Sequence, residues 1–152
     1  MFNDYRYTSL IGRILLGAIF LISGIGKIAD PQGTLQYMQA MGITWATMLF
    51  YVAAIVVEIG GGLSLILGYW TRAGAMALLL FMIPTTLLFH TNFADQNQMI
   101  HFLKNLAMCG GLLYVASYGA GPLSLDAYLG GPTREPGFNI GVRQEDQTRR
   151  RA

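Results

Sequence analysis

Eight side chains carry the chemistry this sequence offers: Arg13, Lys27, Glu58, Thr86, His90, His101, Lys104 and Asn105. Glu58 is the lone charge in AAIVVEIGGGLSLIL, residues 53–67, and a carboxylate in such a run needs a cation or hydrogen-bond donors close by. Lys104 and Asn105 are adjacent, and His90 and His101 bracket the polar stretch TNFADQNQ. Carboxylate, ammonium and imidazole groups pass protons, and together with an amide they hydrogen-bond a bound carbonyl. The set therefore suits a proton relay or a polar ligand pocket. Metal chemistry fits poorly, because two histidines without a carboxylate or thiolate at ligand spacing make a weak site for zinc or haem iron. Cys109 is the single cysteine, which excludes a disulfide within the chain. GIGKIA, residues 24–29, matches a loose dinucleotide fingerprint, but no strand precedes it.

The elements that must hold these residues are set by composition. Of 152 residues, 53% are hydrophobic and only 12% charged, and the mean hydropathy is +0.44. A water-soluble globule usually carries about a quarter charged residues. Lipid is therefore the expected solvent, and the fold class is all-α. Residues 9–29, 46–68, 73–92 and 99–118 are each long and apolar enough to cross a bilayer. The first has too long an apolar run for a signal peptide and no A-x-A-like cleavage site after it, so it is read as a retained helix.

Basic residues near helix ends resist translocation. Arg6, Arg13, Arg72, Arg134, Arg143 and Arg149 to Arg151 fall on the side of the termini, whereas Lys27 and Lys104 fall opposite. Both ends are expected in the cytoplasm of a bacterium, with the chain in its inner membrane. Nucleic acid is not an expected partner, since the basic residues report topology rather than a folded basic surface. Between the first two spans, Asp30, Pro31 and Gly42 frame a short interfacial helix, with Leu35, Met38 and Met41 at helical spacing. Residues 1–129 form one four-helix transmembrane domain in this reading, and residues 130–152, rich in Gly, Pro and charge, a disordered cytoplasmic tail.

Helical periodicity assigns faces. Arg13, Gly17, Phe20, Gly24 and Lys27 form one stripe; Glu58 shares a side with Gly61, Gly62 and Leu65; Thr86 and His90 lie one turn apart after Pro84; His101, Lys104, Asn105 and Met108 fall together. Four polar stripes turned away from acyl chains give a four-helix bundle. From the helical rise, Lys104 and Asn105 lie about 5 to 6 Å nearer the outer surface than Glu58, with Lys27, Thr86, His90 and His101 above them. Lys104 is the first expected partner of Glu58, and Arg13 the second. Phe81, Met82, Met99 and Met108 are the candidates to line a slot for an isoprenoid tail.

The order RILLGAIFLISGIGKIADPQGTLQYMQAMGI, VVEIGGGLSLILGYWTR, LLFH and HFLKNLAMCGGLLYVASYGAGPLSLD resembles the DoxX family of small bacterial inner-membrane proteins over residues 9–126. Ser23, Gly24 and Lys27, Glu58 with its glycines, and the Lys104–Asn105 pair carry the resemblance. It implies a four-helix membrane protein; some members are similar to, or accompany, membrane subunits of thiosulfate-to-quinone oxidoreductases, and others associate with redox-defence proteins.

Three functions fit these features. The first is the membrane subunit of a quinone-linked oxidoreductase, with quinone as the candidate cofactor, a redox protein as partner and no catalytic activity expected of the chain alone. Glu58, Lys104, Asn105, His90 and His101 would then contact the quinone or relay protons. The second is a scaffold or assembly factor whose polar core keeps its shape. In the third, a carrier of small anions, Lys27 and Lys104 form an electropositive funnel, and a homo-oligomer supplies what four helices lack.

Overall fold

The computed structural model describes residues 5–130, and they are all-α: α1 (Tyr5–Ala29), α2 (Pro31–Ala40), α3 (Thr47–Leu67), α4 (Thr71–Phe89), α5 (Gln96–Tyr118) and α6 (Leu125–Tyr128). Among the described residues, α1, α3, α4 and α5 are the four helices long and apolar enough to cross a membrane. Their outward faces are apolar, as at Leu15, Ile22, Val56, Leu80, Leu103 and Leu106, all exposed. Such faces are stable against lipid and the helices satisfy their own backbone groups there.

Helix α1 packs on α3, α3 on α4, α4 on α5, and α5 returns to α1, which leaves α3 and α5 diagonally opposite. The α1–α3 contact is the closest, because glycines let the two backbones touch. A Cβ built on Gly62 would lie 2.9 Å from the Gly17 carbonyl oxygen, and one on Gly17 would lie 2.8 Å from that of Gly62. This is membrane packing through small residues. Below it, Phe20, Leu65, Ala75, Leu78, Leu112 and Val115 form a core joining all four spans.

The interfacial helix forms as α2, for the reasons its sequence supplies. The Asp30 carboxylate accepts from the Gly33 amide at 2.9 Å, Pro31 opens the helix, and Gly42 ends the segment at φ +89°. Met38 is buried beneath it. Helix α5 starts at Gln96, inside the stretch read as a loop, because Asp95 caps it by accepting from the Asn97 amide. Helix α4 continues through Pro84, with the Thr85 hydroxyl donating to the Phe81 and Met82 carbonyls on the preceding turn.

The segment after α5 folds back on the bundle. The Asp126 carboxylate accepts from the Trp70 and Thr71 amides at 2.8 and 3.0 Å, capping α4 from a distance. Asp126 in turn donates its own amide to the Gly68 carbonyl. The expected tail from residue 130 onward lies, apart from Gly130, outside the described residues.

Candidate functional site

Lys27 meets Glu58. The ammonium donates to Glu58 Oε2 at 2.8 Å and Oε1 at 3.0 Å, and to Ser23 Oγ at 3.0 Å. Ser23 also donates to Glu58 Oε1, at 3.3 Å. Glu58 is 5% exposed, while the Lys27 side chain keeps 23% of its surface. Two features bring them together. Gly24 packs against Ile59 and the Glu58 Cβ, so the last turn of α1 runs level with the middle of α3. The Tyr51 hydroxyl then donates to the Lys27 carbonyl at 2.9 Å, pinning the end of α1.

This corrects the expected partnership of Glu58. Lys104 stands on α5, diagonal to α3, and turns to its own helix, donating to His101 Nδ1 at 3.0 Å. Arg13, 2% exposed, lies toward the other end of the bundle. There it donates to the Leu65 carbonyl at 2.7 Å and the Leu123 carbonyl at 2.6 Å. Rise along the helix axes ranked the cations by depth; it could not tell an adjacent helix from a diagonal one. The shared face of Arg13 and Lys27 holds, but only Lys27 belongs to the site.

Of the remaining candidates, His90, His101, Lys104 and Asn105 line the far wall. Asn105, buried, donates from Nδ2 to Thr86 Oγ1 at 3.0 Å and ties α5 to α4. His90 and His101 stack with ring centroids 5.1 Å apart, and His90 Nδ1 is bonded to Gln98 Oε1 at 2.8 Å. Stacked rings do not converge their nitrogens on one point. Among the described residues no three His, Cys, Asp or Glu side chains gather as metal ligands do.

Between these walls is a cavity of about 790 Å³. Lys27, Glu58 and Ser23 face it from one side, and His90, His101, Lys104 and Asn105 from the other. Most of the rest is apolar, with Phe20, Phe50, Phe81, Met82 and Met108 among it, and Tyr37 and Met38 of α2 line it as well. Thr86 belongs to the wall only through Asn105. Of the four residues proposed for an apolar slot, Phe81, Met82 and Met108 line the cavity and Met99 does not. A space this large, mainly apolar with a few convergent polar groups, is the usual form of a small-molecule site.

Comparison with known proteins places the chain. The family model DoxX matches residues 8–91. "Inner membrane protein YqjF" of Escherichia coli (strain K12) is 42% identical over 120 residues, covering 79% of this chain and 90% of that protein. The chain belongs to the DoxX family. A second relative in this family context, "Inner membrane protein YphA" of the same organism, is 34% identical over 122 residues, 77% of this chain and 86% of the relative. "Putative oxidoreductase CatD" of Bacillus subtilis (strain 168) is 31% identical over 72 residues, 47% of this chain and 52% of that protein. No solved structure matches. The DoxX match takes in Ser23, Lys27, Glu58, Thr86 and His90 and stops before α5, so His101, Lys104 and Asn105 lie beyond it.

Sequence reasoning left Tyr51, Ser23 and Gln98 out of the site. Tyr51 lies two turns before Glu58 on the face that also carries Ala54, Gly61 and Leu65, all buried. Ser23 lies one turn before Lys27, a spacing at which side chains meet. Both signals were present. Gln98 was hidden by the loop assignment, which gave it no face.

Proposed function

We propose that this DoxX-family protein is an inner-membrane subunit of a quinone-linked redox system and that the cavity between α1, α3, α4 and α5 receives the quinone. One observation carries the reading: a single apolar space of about 790 Å³ is faced by the Lys27–Glu58 pair on one wall and by His101, Lys104 and Asn105 on the other. An isoprenoid quinone has the matching build, a flat head with two carbonyl acceptors on an apolar tail. Lys104 and His101 would donate to one carbonyl, and the Lys27–Glu58 pair with Ser23 would exchange a proton near the other. The tail would run along Phe81, Met82 and Met108. Quinone supplies two-electron redox chemistry when bound; the chain would position its head and move protons, and a redox protein would deliver or take the electrons. The word oxidoreductase in the name of a Bacillus subtilis relative supports the same class. The inner-membrane placement follows the two Escherichia coli relatives. Arg6, Arg13 and Arg72, at the end of the bundle where α1 begins and α5 ends, favour a cytoplasmic position for that end.

Trp45 borders the cavity and gives a direct test. In a Trp70→Phe background Trp45 is the only tryptophan, and a short-tailed benzoquinone added to the protein in nanodiscs should quench it saturably. Glu58→Gln should weaken that quenching. Unsaturable quenching, equal to that of free tryptophan in the same lipid, rejects the quinone site and leaves a scaffold role.

A further inference from the structure

The two lysines that face the cavity are in different states of hydrogen bonding. Lys27 has spent all it has: an ammonium carries three N–H donors, and its contacts are Ser23 Oγ, Glu58 Oε1 and Glu58 Oε2. Its charge is also cancelled by Glu58. Lys104 makes one such contact, to His101 Nδ1 at 3.0 Å, which leaves two N–H donors unspent. Among the described residues it has no acidic partner within salt-bridge distance.

His101 and Asn105 stand beside Lys104 in the cavity lining, and neither carries a negative charge. When Lys104 donates to His101 Nδ1, the imidazole proton sits on Nε2, a further donor. Asn105 already uses its amide nitrogen on Thr86. Counting formal charges around the cavity, Lys27 and Glu58 cancel and Lys104 remains, a surplus of one positive charge in a wall that is otherwise largely apolar. Lys104 and His101 are exposed side chains, so this ammonium is accessible to a ligand entering the cavity.

We infer that Lys104 is the residue that selects the ligand's head group, and that the head it selects is an oxygen acceptor bearing negative charge. The inference rests on the reading of the cavity as a quinone-type site and narrows it: the acidic or ionised form of such a head is held more tightly than the neutral one. Lys27, saturated and neutralised, shapes the opposite wall without discriminating. Phosphate or carboxylate heads on an alkyl tail share the chemistry, and the probe pair below separates charge from ring structure.

The test compares two ligands of one skeleton, an alkyl hydroxynaphthoquinone, ionised at neutral pH, and its methyl ether, which is neutral. Both are titrated against Trp45 fluorescence in Trp70→Phe protein held in nanodiscs of uncharged lipid. The ratio of their half-quenching concentrations is the readout, and comparing ratios between variants cancels the different partitioning of the two compounds into lipid. We expect Lys104→Gln to lower the preference for the ionised compound about tenfold, the usual worth of a hydrogen bond to a charged group, because it weakens quenching by the ionised compound far more than quenching by the methyl ether. Lys104→Arg should keep the preference, and Lys27→Gln should alter both ligands together. A ratio unmoved by Lys104→Gln overturns the assignment to Lys104 while the cavity reading stands. Absence of saturable quenching by either compound overturns the cavity reading and this inference with it.

Discussion

Lys27 Nζ lies 2.8 Å from Glu58 Oε2 and 3.0 Å from Oε1, so both carboxylate oxygens are held by one ammonium from the neighbouring helix. The pair links the end of α1 to the middle of α3 at the level where Gly24 packs against Ile59. Charge and close packing therefore specify the same register. An acid so placed tolerates the membrane interior because its partner stands on an adjacent helix whose backbone glycine draws near.

Removing one member of that pair should harm the protein more than removing both. Glu58→Leu leaves the Lys27 ammonium facing an apolar wall, and we expect a loss of about 3 kcal/mol or more. Glu58→Leu with Lys27→Met should recover much of it, whereas Glu58→Leu with Lys104→Met should recover nothing. Reversible unfolding in mixed detergent, analysed as a double-mutant cycle, measures the coupling. Recovery by Lys104→Met rather than Lys27→Met would contradict the pairing.

The glycine contact can be tested without touching charge. Gly62→Ala places a methyl 2.9 Å from the Gly17 carbonyl and 3.0 Å from the Leu21 amide, both backbone atoms that cannot step aside. The helices must separate, at a cost of roughly 1–3 kcal/mol. Gly60→Ala is the matched control, since nothing lies within 4 Å of a Cβ there. Thermal unfolding should show a lower midpoint for Gly62→Ala and no fall for Gly60→Ala.

These cases show what the sequence made legible. Span number, the interfacial helix and the inward faces follow from apolar length, from the Asp30–Pro31–Gly42 signals and from periodicity, all local properties. The stripe of Arg13, Gly17, Phe20, Gly24 and Lys27 was readable for the same reason, and all of it turns inward. Pairing across helices was not readable. Whether Lys27 or Lys104 reaches Glu58 depends on which helices are neighbours in the ring, and no spacing within one helix encodes that. The docking of Asp126 on α4 was hidden likewise, since its partners lie 55 and 56 residues away.

Asp126 should act as the cap of α4. Asp126→Ala removes the acceptor of the Trp70 and Thr71 amides, and loss of a cap costs about 0.5–2 kcal/mol. Hydrogen exchange at the first turn of α4 should quicken, with little change at α2 or the start of α5. Asp126→Asn, which keeps one acceptor oxygen, should give a smaller effect. Unchanged exchange in Asp126→Ala would mean that the α3–α4 turn does not depend on this contact.

The cavity gives the last expectation, because filling it separates ligand binding from stability. Ala53 and Ala54 both line the space from α3, Ala53 exposed and Ala54 buried at 5%. A phenyl ring added at the exposed position 53 fills part of the lined space with little overpacking, while at the buried position 54 it would also crowd its packed neighbours. Ala53→Phe should keep the unfolding midpoint near that of the parent and raise the quinone concentration for half-quenching of Trp45 at least about tenfold, equivalent to roughly 1.4 kcal/mol of binding. Overpacking at Ala54→Phe should instead cost about 1–3 kcal/mol of stability. If Ala53→Phe quenches like the parent, the ligand does not enter between α3 and α5, and the facing side chains of Lys27 and Lys104 do not share one occupant.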